Sequence, residues 1–206
     1  MSERIPLSPV KNMSTEILTI GHSNHPAEKF LTLLAEAGVA LLLDIRSIPF
    51  SRRVPHASRP QLVGLLAGAG IAYEFRGDAL GGRPAHADLL VDGVADYERM
   101  AAMPDFRAGL ARVREAAAER RTVLLCAERD PLDCHRALLV GRALAGQGLA
   151  IVHILADGSH ESQASFEERL LRASGMSAPD LLASREARLA GAYRAQRLRA
   201  AHRRSR

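Results

Sequence analysis

The chain has no tryptophan, only two cysteines, and aromatic residues make up 4% of its 206 residues. Cys126 and Cys134 are too few for a disulfide framework, which leads us to expect a reducing, cytoplasmic setting. The longest aliphatic run, Val39 to Leu43, falls far short of the roughly 20 residues of a membrane span. No early apolar stretch precedes a small-residue cleavage site, so no secretory signal and no membrane partner are expected. The patterns GxGxxG, GxxxxGK[ST] and GxSxG do not occur, so dinucleotide, P-loop and hydrolase-elbow readings lose support. What remains, 47% hydrophobic and 25% charged residues, is ordinary globular composition and excludes wholesale disorder or collagen.

Lysine is nearly missing as well: Lys11 and Lys29 leave 26 of the 28 basic residues as arginine. The net charge of +5 is unevenly spread, because the segment from Asp180 to Arg206 holds eight arginines against Asp180 and Glu186. That segment reads as a basic arm able to meet nucleic acid through its phosphates, or as a solvated helical extension. Either way it is expected to be dispensable for folding. With only Tyr193 in it, base stacking has little to work with.

Residues 1–14 read as a loose, polar, proline-bearing leader. Short buried strands are then expected at Glu16–Gly21, Val39–Ile45, Ile71–Phe75, Thr122–Cys126 and Leu149–Leu155. Helices alternate with them. Phe30, Leu33, Leu34 and Ala37 mark the first, and Ser58-Arg-Pro-Gln61 resembles a capping box for the second. Pro104 starts a third, and Cys134 to about Ala145 forms a fourth. Arg76 to Asp92 reads as a long glycine-rich connection. After Asp157 only helical signals remain, with a capping box at Ser165-x-x-Glu168 and a last helix starting at Ser177 and Pro179. The alternation predicts an α/β fold over residues 15–157. It has three layers, a mostly parallel sheet of about five strands flanked by helices, and a helical, Arg-rich extension over 158–206.

In such sheets ligands bind beyond the carboxyl ends of the strands. There the sequence places Gly21-His22-Ser23, Asp44-Ile-Arg46, Ser51-Arg52, Gly81-Gly82-Arg83, Cys126-Ala-Glu128 and Cys134-His135-Arg136. Arg46, Arg52, Arg83 and Arg136 could hold anionic oxygens, and Asp44 could meet a ribose hydroxyl or pair with an arginine. Gly81-Gly82 would allow positive φ or close backbone approach to a ligand, or form a flexible turn, and Gly21, Ser23 and Ser51 count among the substrate-binding candidates. Cys126 or Cys134 could serve as nucleophile, with His22, His135 and Glu128 moving protons. Asp133 as N-cap would put Cys134 in the first turn of a helix, where backbone N–H groups, His135 and Arg136 would lower its pKa. The bland alternative is that both cysteines are inert core residues and that Arg136 pairs with Asp44 or Glu128. The cysteine spacing is not that of a CxxC zinc site, so no metal and no other cofactor is assigned, although His22 or His153 could complete a donor set. His153, on an apolar strand, reads as a satisfied core histidine.

Taken together, Thr19-Ile-Gly-His-Ser-Asn24, Asp44-Ile-Arg46 with Pro49 and Ser51, Tyr73 with Leu80-Gly-Gly82, Leu124-Leu-Cys-Ala-Glu128, Cys134-His-Arg136 and His153-Ile154 resemble the family known as domain of unknown function 488. Ile45 stands where that pattern leads one to expect valine. The resemblance spans about residues 17–155 and leaves out the basic C-terminal region. It implies that these segments belong to one domain, and no activity can be carried over from it.

Three functions compete. One is a Cys/His-dependent enzyme on a phosphorylated, nucleotide-like or nucleic-acid-related substrate. The second is a non-catalytic module that binds a nucleotide or a nucleic-acid end. The third is a sulfurtransferase resembling rhodanese, disfavoured because Asp130 to Leu132 lie where the loop around its cysteine should close.

Overall fold

In a computed structural model of the chain, residues 16–178 and 183–204 are described; the leader at 1–14 and Pro179 lie outside them. The core of the fold is a six-stranded sheet in the order β3-β2-β6-β1-β7-β8, formed by β1 (Glu16–Gly21), β2 (Leu41–Asp44), β3 (Ala72–Phe75), β6 (Thr122–Cys126), β7 (Ala150–Ile154) and β8 (His160–Ser162). The first five are mutually parallel and coincide with the expected apolar runs. β8 is an addition. It returns antiparallel to β7 through a turn at Leu155–Ser159, where the sequence had suggested helix alone. β4 (Leu90–Val91) and β5 (Val94–Ala95) make a separate hairpin inside the expected long connection, turned by Asp92 and Gly93 at positive φ.

Strand alternation divides the core in two. Leu18, Ile20, Leu42, Val123 and Leu125 pack under α1 (Ala27–Glu36) and α2 (Arg59–Gly68) through Phe30, Leu33, Leu34, Leu62 and Leu66. Ile17, Leu41, Leu43, Leu124 and Ile151 pack on the other face. There they meet Phe106, Leu110 and Val113 of α5 (Pro104–Glu119) and Phe166, Leu170 and Leu171 of α7 (Gln163–Ala173). Helices α3 (Gly77–Leu80) and α4 (Tyr97–Ala102) are short and sit in the connection before α5. Each buried Leu, Ile or Phe contributes about 1.5–3 kcal/mol relative to exposure.

Helix starts depart from the expected ones for local reasons. Ser58 precedes α2, but its hydroxyl accepts from Ser51 N–H instead of capping the helix. α7 begins three residues before the expected box, because Ser162 is its cap and accepts from Ser165 N–H. The helix expected from Cys134 is a π-helical stretch, Arg136–Gly141, running into α6 (Arg142–Ala145).

The last helix, α8 (Arg185–Arg204), overturns the picture of a detachable charged arm. Ala192, Tyr193 and Ala200 are buried in the same core cluster as the α5 and α7 side chains. Several of its arginines are occupied as well. Arg188 donates to the carbonyls of Met176, Ser177 and Ala178, and Arg197 to that of Ala95. Arg194 meets Glu98 and Arg185 meets Glu168. Among the described residues, no helix is long and apolar enough to cross a membrane.

Candidate functional site

β1, β2 and β6 are parallel neighbours, so their carboxyl ends meet at one edge. The ladder continues past the strand ends, where His22 N–H donates to the Cys126 carbonyl and Ser23 N–H to that of Ala127. This holds Ser23 at a φ of 49°, a left-handed conformation uncommon for serine. A cleft of about 210 Å³ opens at this edge. It is lined by His22, Cys126, Ala127, Glu128 and His135, referred to below as its floor, and by Arg46, Ser47, Ile48, Phe50, Ser51, Gly82 and Arg83.

Of the residues singled out in the sequence, His22, Arg46, Ser51, Gly82, Arg83, Cys126, Glu128 and His135 therefore border one cleft. Gly21, Ser23, Asp44, Arg52, Gly81, Cys134 and Arg136 do not line it. Asp44 shares the sheet face of Leu42, whereas Cys126 shares that of Leu124, so the two carboxyl-end side chains diverge. Asp44 is fully buried and forms an ion pair with Arg46 at 2.5 Å, with the Tyr73 hydroxyl donating to it at 3.0 Å. Burial, then the Asp44 charge, pushes the Tyr73 phenol up. Arg46 also donates to the Ala57 carbonyl at 2.8 Å.

Arg136 is fully buried, but it pairs with neither Asp44 nor Glu128 in the way the bland alternative supposed. Its guanidinium donates to the carbonyl oxygens of Glu128 at 2.5 Å and Arg129 at 3.0 Å, and its Nε has no partner. Gly21 is needed for this arrangement, since a Cβ there would run into the Glu128 carbonyl. Gly82 serves similarly: a Cβ would lie 2.6 Å from Cγ of the His135 ring. These glycines pass close to the protein's own atoms.

Behind the cleft the two thiols converge. Cys126 Sγ lies 3.0 Å from Glu128 Oε2 and 3.4 Å from His135 Nδ1, and Cys134 Sγ lies 3.0 Å from the same Glu128 oxygen. Cys134 differs from its expected state. It sits in extended backbone just before the helix, fully buried, and accepts from Arg136 N–H at 3.4 Å instead of standing in the first turn. Burial pushes its thiol well up, reinforced by Cys126 and Glu128; Arg136 opposes this without reversing it. The expectation of a lowered Cys134 pKa is thus overturned, because desolvation outweighs the helix terminus and the nearby cation.

Two further histidines singled out in the sequence, His22 and His153, are neutral near pH 7. Burial, then the Arg46 charge, lowers His22 to about 4. Burial lowers His153 to about 3; it bonds Thr19 Oγ1 at 2.8 Å and Gln163 Oε1 at 3.1 Å, away from the cleft.

Ser47, Ile48 and Phe50 were missed by sequence reasoning. Ile48 and Phe50 are 60% and 63% exposed, and they lie in an irregular loop where no periodicity signals them. The available clue was the apolar pair flanking Pro49 in an otherwise polar, arginine-rich loop.

The model of the family described as "Domain of unknown function DUF488" matches residues 26–143. The match includes the cleft residues from Arg46 to His135, while His22 lies outside it. No curated protein and no solved structure matches the chain.

Proposed function

From a chain that belongs to the DUF488 family, whose description carries no activity, we propose an enzyme whose cleft takes an anionic, nucleotide-type ligand and acts on it with the Cys126, Glu128 and His135 groups of its floor. One observation carries the reading: a single cleft joins two exposed apolar side chains to a guanidinium without a carboxylate partner. Phe50 and Ile48 offer a flat apolar wall, and among the described residues Arg83 has no ion pair. Its backbone is held by Ser47 Oγ, to which Arg83 N–H donates at 3.0 Å. A base against Phe50 would gain about 1–3 kcal/mol by stacking. A phosphate on Arg83 would gain about 1.5–3 kcal/mol from charge-assisted hydrogen bonds. His22, uncharged near neutrality, offers a proton acceptor beside the floor.

Arg46 is a weaker candidate for direct ligand binding than Arg83, because Asp44 already neutralises it. Asp44 itself, fully buried and tied to Arg46 and Tyr73, supports the cleft from behind. Persulfide transfer has less support, since Cys126 Sγ faces a carboxylate and an imidazole where a thiolate cradle would offer N–H donors. Nucleoside 5′-phosphates carrying each of the four bases, titrated calorimetrically, test the binding. Binding by the full chain should weaken about tenfold or more in Phe50→Ala and in Arg83→Ala, each truncation removing at least about 1.4 kcal/mol. Binding that is absent, or indifferent to both changes, would overturn the reading. Turnover of a bound nucleotide separates the enzyme from a non-catalytic binding module.

A further inference from the structure

We propose that Cys126, Glu128, Cys134 and His135 form a binding site for one soft divalent cation of the zinc class. The inference shares Cys126, Glu128 and His135 with the proposed function but is independent of the Phe50 and Arg83 contacts that would hold a nucleotide. One donor atom from each of the four residues lies within 4.8 Å of all the others. Three of the separations are already 3.0, 3.0 and 3.4 Å. Donors around a tetrahedral zinc ion stand about 3.3–3.8 Å apart, given metal–donor distances of roughly 2.0–2.3 Å. Closing the remaining gaps therefore takes side-chain adjustments and no change of fold. Two thiols and an imidazole select soft or borderline cations over magnesium or calcium.

One feature outside the donor set points the same way. His135 Nε2 lies 2.9 Å from the Ile45 carbonyl. A carbonyl only accepts, so Nε2 carries the proton, and in the neutral ring Nδ1 presents its lone pair toward Cys126. This is the usual arrangement behind a metal-ligating histidine, whose second nitrogen donates to a carbonyl or carboxylate. As the ion binds, each thiol gives its proton to solvent and its sulfur lone pair to the metal.

The test uses the full-length protein, stripped with a chelator and kept reduced with a phosphine, and titrated with Co²⁺ alone and then Zn²⁺. The expected result is one Co²⁺ per chain, with sulfur-to-cobalt charge-transfer absorption and tetrahedral d–d bands, both erased by equimolar Zn²⁺. Cys126→Ser and Cys134→Ser should each lower that charge-transfer intensity by about half or abolish uptake, and Glu128→Gln should weaken uptake by about tenfold or more while keeping the sulfur signature. Should a serine variant fail to fold by circular dichroism, the wild-type cobalt spectrum and the release of protons on Zn²⁺ binding still decide. Wild-type protein that takes up neither ion, or cobalt bound without charge transfer, would overturn the site. No nucleotide is present, so this failure and that of the proposed ligand can be told apart.

Discussion

Two buried histidines sit on the same face of the sheet and behave oppositely. His153, on β7, has both ring nitrogens engaged by neutral partners, Thr19 and Gln163, and its ring packs against Phe166 at 5.1 Å. Gln163 passes the network on to the Tyr193 hydroxyl of α8. Every bond this histidine can make is made. His135 has one nitrogen committed to the Ile45 carbonyl, and the other faces a thiol whose neighbours are a carboxylate and a second thiol. A buried histidine therefore announces chemistry through the bonding capacity left after its structural partners are counted, and burial alone does not separate the two cases.

The largest effect expected comes from removing the far end of the His153 network. A chain ending at residue 182 loses Tyr193, Ala192 and Ala200 from the core. It should unfold, aggregate or lose several kcal/mol in urea titration, since burying even one large side chain contributes about 1.5–3 kcal/mol. A truncated protein as stable as the full chain would show that α8 merely rests on the domain.

Next in size is His153→Ala, which removes the partner of Thr19 Oγ1 and of Gln163 Oε1 and opens a cavity. It should cost roughly 2–4 kcal/mol by denaturant titration, while cobalt uptake and nucleotide binding stay as in the wild type. His135→Gln should show the reverse pattern: impaired cobalt uptake and a stability loss of about 1 kcal/mol. If both variants behaved alike, the distinction between a saturated and an available histidine would fail.

The last effect is a slope in the stability–pH profile, shallow near neutrality and growing only in acid. Folded His153 holds its proton only below about pH 3, whereas in the unfolded chain it takes one up below about 6.5. Its contribution to stability is complete above about pH 6.5. It falls by about 1.4 kcal/mol per unit as the pH drops toward 3. His22, lowered to about 4, adds a similar slope, so the difference between wild type and His153→Asn isolates the His153 part. Identical slopes would mean that His153 is not held neutral.

The five parallel strands were legible because each is a continuous apolar run, which is how a strand buried on both faces reads. β8, with the sequence His160-Glu-Ser162, has no such signature; it is a polar edge strand added by a turn. The β4–β5 hairpin carried a readable Asp92-Gly93 signal that was passed over inside a glycine-rich stretch. In the candidate site, parallelism brought His22, Arg46, Cys126, Glu128 and His135 together because strand ends converge whatever follows them. The state of Cys134 was not legible. A two-residue difference in where the helix begins decides whether its sulfur meets solvent at a helix terminus or lies sealed between Glu128 and a backbone amide.

The loop that carries Ile48 and Phe50 is stitched at several points: Arg46 to the Ala57 carbonyl, Ser51 N–H to Ser58 Oγ, Val54 N–H to Ser51 Oγ, and Arg59 N–H to the Pro49 carbonyl. Its conformational entropy is thus surrendered during folding, before any ligand arrives. A molecule meeting this wall finds a preset surface, and its association would follow a single kinetic phase whose rate rises linearly with concentration, without the plateau that a loop-closing step imposes.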